Sequence, residues 1–335
     1  MRKVIFIWML CCGLVACNRE DKETHASFKD MEWFVVEDSD DELDHLIYEF
    51  YVSTGIPLFY TDTIRSRTEI NEWGREYTLY QILNPNYMIE GMANLWTFKK
   101  SEDREKLKKG VEFFRDQVYP KLPEGYRSPC YLLVDKLYQK EFYQDEVGAR
   151  KGLNTTVIGK ISEMDEMSEE DQKRLAWEVV TEELYDTISV NYEKELDAFF
   201  QVSFLLCNKK DVYSDLITKF KNNIPNYKAA VHGSATDPRE AGFLRWWQSN
   251  WYTPEYKDDV CGYLIEVLLG DDDGFATRNA GFSGCLKKYD MMKELPNLQQ
   301  KGGVCPMVEL FTTFLVSVLA GVVSYYICKW LDRDK

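Results

Sequence analysis

The sequence predicts an α+β fold: a small sheet with helices in the first half, then a mainly helical second half. Three observations carry this. Short apolar or β-branched runs at residues 58–60, 131–134 and 154–161 are bounded by Gly, Pro or Asp and have strand length. Long segments with helical apolar spacing dominate after residue 168. At 335 residues, with 45% hydrophobic and 14% aromatic content, the chain can bury a substantial core.

Taken in order, Leu43, Leu46, Ile47, Phe50 and Tyr51 follow the acidic start Ser39-Asp40-Asp41-Glu42 at helical spacing, until Gly55 and Pro57 break the pattern. Leu58-Phe59-Tyr60 is a short strand. Leu107, Val111, Phe114 and Val118 mark a second helix ending near Pro120. Ser168 opens a long helix, with Asp171 three residues on as a variant capping box and Glu169 and Glu170 in the favourable first turn. Its apolar face is Leu175, Val179, Leu184 and Ile188. The pattern stays mostly helical from 192 to 220, loops over 233–238, and returns to helix at 256–269, closed by Gly270. A final helix covers about 285–295.

The two ends carry targeting signals. Arg2 and Lys3, an apolar stretch over 4–14, and Leu14-Val15-Ala16-Cys17 form a short secretory signal of the bacterial lipoprotein type. The expectation is a signal peptide at 1–16, acylated Cys17, a flexible tether at 17–38 and a domain at 39–300. A transmembrane helix is expected at 308–330: residues 310–328 lack charge and would span about 28 Å as a helix, while Lys329, Arg333 and Lys335 follow on the expected cytoplasmic side. The domain then lies outside the cytoplasm, in the cell envelope. A lipid and a helical span together leave open whether the inner or outer membrane is occupied. The formal net charge is −15, and loss of the signal with its two cations leaves −17. Such a surface repels nucleic acid, so the expected partners are the membrane, through lipid and C-terminal helix, and a peptide or protein.

Of nine cysteines, Cys130, Cys207, Cys261, Cys285 and Cys305 remain in the exported part, and no CxxC motif occurs. The number is odd, and buried thiols or one bridge are both open. Asp271-Asp272-Asp273-Gly274 fails as a calcium loop, because Leu269 and Ala280 stand at its first and last positions; it is expected to be a turn. Trp246, Trp247, Trp251, Tyr252 and Tyr256 form an aromatic segment that is either core or, if exposed, a glycan platform.

The order of segments resembles a bacterial lipoprotein family of proposed zinc-binding metallopeptidases with a gluzincin-like, zincin fold. The matching pieces run from about Asp44 to Leu295: Glu42-Leu43-Asp44 before a helix, Leu132-Leu133-Val134, Val157-Ile158-Gly159 before the long helix, and Ala241-Gly242-Phe243. That resemblance implies a zinc motif His-Glu-x-x-His on the long helix, where two imidazoles bind metal and the glutamate activates water. Here the stretch is Thr181-Glu182-Glu183-Leu184-Tyr185. Glu182 stands at the general-base position, but Thr181 and Tyr185 replace both imidazoles. The resemblance further assigns Glu255 as third metal ligand and Asp259 as the acid behind it. His25, His45 and His232 are the chain's histidines, and no two are spaced as helix ligands. The expectation is a degenerate site with no cofactor, zinc being possible but not favoured, that binds peptide or protein. The alternatives are an active metallopeptidase with an atypical site built on Glu182, and a surface glycan-binding lipoprotein.

Overall fold

The computed structural model describes residues 33–86, 96–123, 127–139, 145–228, 236–247 and 250–295. The signal, Cys17, the tether through residue 32, His25, His232, Cys305 and the segment 308–330 lie outside them. Among the described residues no helix is long and apolar enough to cross a membrane. Trp33 and Phe34 form a 3₁₀ turn and belong to a different unit from the body that begins at Val36.

The body is α+β. Helix α1 (Glu42–Thr54) is capped by the Asp41 carboxylate, which accepts from the Leu43 and Asp44 N–H groups, and ends at Gly55 with φ 72°. A four-stranded sheet follows in the order β1 (Leu58–Phe59), β5 (Tyr131–Leu133), β9 (Thr156–Ile158), β8 (Ala149–Lys151). The first three strands are parallel and β8 runs antiparallel at the edge, with Arg150 opposite Val157. Strands β5 and β9 are buried throughout, with both faces covered, and Thr156 of β9 satisfies its hydroxyl on Glu183. Helix α2 (Arg104–Phe113) continues through a π turn to Val118, and α3 (Glu169–Asn191), 23 residues long, is capped by Ser168. Leu43, Ile47 and Phe50 of α1, Val111 of α2, Leu133 and Ile158 of the sheet, and Leu175 and Val179 of α3 share the first core.

The expected strand at 154–161 shortens to three residues. Asn154 instead spends its side chain on the Asn84 N–H and the Ile82 carbonyl, and Lys160 at φ 64° turns the chain away. Helical structure over 192–220 also stops early. Helix α4 (Glu193–Leu206) ends at Cys207, and Asn208 at φ 47° starts an irregular path to a 3₁₀ turn at Ile217–Phe220. Helix α5 (Tyr256–Leu269) has the expected bounds and its Gly270 terminus. The acidic turn is instead a helix start: Asp271 accepts from Gly274 N–H and caps α6 (Asp272–Arg278). Helix α7 (Ser283–Lys293) closes the body. The end of α3 packs with α4 to α7 in a second core around Phe199, Tyr263, Phe275 and Tyr289. Cys130, Cys207, Cys261 and Cys285 are free and buried.

Patterning at the sequence level missed two further pieces. One is the antiparallel ribbon of β2 (Thr63–Ile70) and β3 (Glu76–Ile82). The other is a three-stranded sheet of β4 (Trp96–Lys99), β6 (Lys136–Gln139) and β7 (Asp145–Glu146), with β6 central. Gly148, between β7 and β8, lies so close to α3 that a Cβ there would sit 1.9 Å from the Glu178 carboxylate. That approach brings the edge strand against the middle of the long helix.

Candidate functional site

The first core holds the N-terminal half of α3 and the second holds its end, so Thr181, Glu182 and Tyr185 fall where the two meet. Facing them are edge strand β8 and the first turns of α5. A cleft of about 270 Å³ opens there, lined among others by Trp96, Arg150, Thr181, Glu182, Trp247 and Asp258.

Glu182 is buried and fully engaged. Its Oε2 accepts from the Lys151 backbone N–H at 2.7 Å and from Lys257 Nζ at 2.7 Å. Its Oε1 lies 3.9 Å from the Arg150 guanidinium. Arg150 also reaches Asp258 at 3.6 Å and Glu255 at 3.9 Å, and it stacks 4.4 Å over the Trp96 ring. Its side chain is only 14% exposed. Burial opposes its charge, but Glu182, Asp258 and Glu255 outweigh that and raise its pKa. One guanidinium thus lies among three carboxylates.

Asp258 has a side chain 7% exposed and receives a hydrogen bond from the Trp247 indole N–H. Burial pushes its carboxyl up to about 6, Arg150 resists this, and Glu255 adds to it. Glu255 sits at the N-cap of α5 and accepts from Gln139 Nε2 at 3.3 Å. Tyr185 lies under Lys257, whose Nζ is 5.4 Å from the ring centre; burial pushes the phenol up to about 12. Thr181 spends its hydroxyl on the Glu178 carbonyl at 3.1 Å.

Of the sequence-named residues, Thr181 and Glu182 line the cleft, while Glu255 and Tyr185 are linked to Glu182 through its neighbours Arg150 and Lys257 respectively. The structure corrects the sequence reading at Asp259. Although the residue borders the cleft, its carboxylate is engaged by the helical core, accepting from Tyr213 at 2.7 Å and pairing with Lys288 at 2.6 Å. The carboxylate beside Glu255 is Asp258. Glu255 is the extended N-cap and not part of the helix, so the i, i+4 rule does not relate its side chain to that of Asp259. Arg150, Lys257, Trp96 and Asp258 had no motif to mark them. The buried cation on a three-residue edge strand, Ala149-Arg150-Lys151, was the available signal.

The aromatic segment is largely core. Trp246 and Trp247 are buried, Trp246 donating to the Thr236 carbonyl and Trp247 to Asp258, so the two do not form an exposed platform. His45 is exposed on α1 and bonds Asp38 at 2.7 Å, remote in role from the cleft.

The residues present do not fit a zinc ion. Two cations, Arg150 and Lys257, stand among the carboxylates a metal would need, and the two helix positions carry hydroxyls rather than imidazoles. A divalent ion 4 Å from a guanidinium would meet about 8 kcal/mol of repulsion at an effective dielectric near 20. Among the described residues no group of three or more His, Cys, Asp or Glu side chains is placed to hold a metal ion. Comparison with known proteins yields no matching family model, no matching curated protein and no matching solved structure.

Proposed function

We propose that this chain is an exported, membrane-tethered lipoprotein of the cell envelope, acylated at Cys17 and held also by its C-terminal apolar segment. Its metallopeptidase-like cleft binds peptide or protein and does not hydrolyse by zinc. The observation that supports this is Arg150, stacked on Trp96 and lying among Glu182, Glu255 and Asp258. A resident cation supplies the charge balance that a metal would otherwise give, but a guanidinium offers no open coordination position and cannot acidify a water. Glu182 is held by a backbone N–H and an ammonium, which fixes its direction, so it positions the strand against the helix. The open cleft retains fixed charges of both signs, from Arg174, Arg245, Glu178 and Glu266, which suit a polypeptide with mixed side chains.

Elemental analysis of the purified chain is expected to give no stoichiometric zinc. A peptide library is expected to show no chelator-sensitive cleavage. Tight stoichiometric zinc, or cleavage abolished by Glu182→Gln, overturns the reading. Thr181→His with Tyr185→His is expected to remain a poor zinc binder while Arg150 is present. Adding Arg150→Ala to the pair is expected to bring measurable zinc uptake, read by titration against a chelating dye. Equal uptake with and without Arg150 would remove the role assigned to that cation.

A further inference from the structure

The cleft between α3, β8 and α5 holds a cation that its own walls leave unanswered. Arg150 and Lys257 are matched to Glu182 and Asp258, and Arg174 to Glu266 at 2.7 Å. Lys160 lies at the end that the cleft shares with a neighbouring groove, which Glu163, Glu166 and Glu178 also line. Arg245 is placed differently. It lines the cleft, is exposed, and makes no hydrogen bond or ion pair with any described residue. Its charge is felt at Asp258, but its contact is with a ring: the guanidinium lies 4.1 Å over Trp247. That ring is fixed. Trp247 is 4% exposed, exchanges backbone hydrogen bonds with Tyr252 at 2.7 and 3.1 Å, and donates its indole N–H to Asp258.

We infer that Arg245 is the subsite at which the cleft takes a carboxylate of its peptide ligand. A guanidinium resting on an indole has one face used and its edge N–H groups free, which suits a planar, bidentate acceptor. Stacking also holds the side chain without neutralising it, so part of the cost of ordering a long arginine is met before the ligand arrives. Arg150 cannot take this role, because Glu182, Asp258 and Glu255 already surround it. Size narrows the ligand further. A cleft of about 270 Å³ falls below the roughly 300–1,000 Å³ that encloses a drug-sized molecule, so it admits one or two residues rather than a long segment. A carboxylate on so short a piece of chain is either a C-terminus or an aspartate or glutamate side chain. The preference runs against the field of the whole protein, since a net charge of −15 favours basic ligands at long range. Selection of an acidic peptide is therefore a local property of the Trp247 end. The inference rests on the reading of the cleft as a peptide site.

The test uses the full chain in detergent micelles and short peptides carrying an uncharged fluorophore at a blocked N-terminus, with binding read by polarisation. The probes are trialanine with a free C-terminus, its C-terminal amide, and amides with glutamate or lysine as the middle residue. The free-carboxylate peptide, the glutamate peptide or both are expected to bind roughly ten- to a hundredfold more tightly than the neutral amide, the worth of one charge-assisted pair. Which of the two gains identifies the source of the carboxylate. Arg245→Gln is expected to abolish the advantage, and Arg245→Lys to keep part of it. Lys210→Gln, the same loss of charge at an exposed lysine outside the cleft lining, is expected to leave it intact. Equal affinity for acidic and neutral peptides, tighter binding of the lysine peptide, or an acidic preference that survives Arg245→Gln overturns the inference and leaves the peptide-site reading standing. Failure of all four peptides to bind overturns both.

Discussion

Lys288→Met is expected to be the most destabilising single substitution in the helical half, by about 3–5 kcal/mol, because it leaves a buried carboxylate unpaired. Lys288 is fully buried, 2.6 Å from Asp259 and 3.3 Å from the Tyr213 hydroxyl. Its ammonium also lies 4.5 Å from the Phe199 ring centre and 4.8 Å from that of Phe243. Burial drives both groups toward neutrality, lowering the Lys288 pKa and raising that of Asp259, and each is held charged by the other. Removing the lysine removes the opposition at Asp259, so its folded pKa rises further above its unfolded value. A raised carboxyl pKa contributes stability below the unfolded value that is lost as pH rises through the folded one. The deficit of Lys288→Met should therefore narrow as pH falls toward 4. Asp259→Leu combined with Lys288→Met should recover most of the loss, since an apolar pair of similar volume suits the surrounding rings. Urea unfolding of the three variants checks this, and additive losses in the double variant would contradict it.

How much of this was legible depends on the kind of signal each residue carried. Helices α1, α3 and α5 were readable because their caps are local: Asp41, Ser168 and Gly270 act within one turn of themselves. Strand β5 was readable as an apolar run and β9 as a run of β-branched residues. The β2–β3 ribbon was not, because both its faces are at least partly wet and Thr63–Ile70 mixes arginine, threonine and glutamate without apolar alternation. The break at Asn208 escaped for a related reason: a left-handed asparagine after an apolar helix leaves little compositional trace.

The cleft was half legible. The resemblance named Thr181 and Glu182, which line the cleft, and Glu255 and Tyr185, which lie beside Arg150 and Lys257. It could not locate Arg150. That residue reaches the carboxylates only because β8 runs antiparallel at the sheet edge and Gly148 lets it approach α3. Both are long-range facts, set by pairing across the sheet. Asp259 was misplaced because a spacing rule fixes a helix face only when the start of the helix is known, and Glu255 is the N-cap. Its true partner, Lys288, is 29 residues away on α7.

Arg150→Met is expected to give the second large effect, and one with a distinctive pH profile. The substitution keeps most of the side-chain volume beside Trp96 and deletes only the charge that faces Glu182, Asp258 and Glu255. At pH 7.5 the loss is expected to be about 2–4 kcal/mol, since two poorly solvated carboxylates, Glu182 and Asp258, then lose their shared cation, Glu182 keeping Lys257 and Asp258 the weaker influence of Arg245. Asp258 decides the pH dependence. Its folded pKa, about 6 with Arg150 present, already exceeds the usual 3.8, so it contributes stability below about pH 4 that is lost by about pH 6. Without the guanidinium that pKa climbs, and the window over which stability is lost moves up through neutral pH. The variant should approach wild-type stability near pH 5 and diverge from it above pH 6, whereas a simple packing defect would give a constant offset. Adding Asp258→Asn should flatten the profile and recover part of the loss at pH 7.5. Arg150→Lys separates charge from shape: it keeps a cation but loses the planar fork that reaches more than one carboxylate and stacks on an indole, so it should fall between Met and wild type. A pH-independent deficit in Arg150→Met would mean that Arg150 acts through its packing on Trp96, and the cleft would then have no internal substitute for a metal charge.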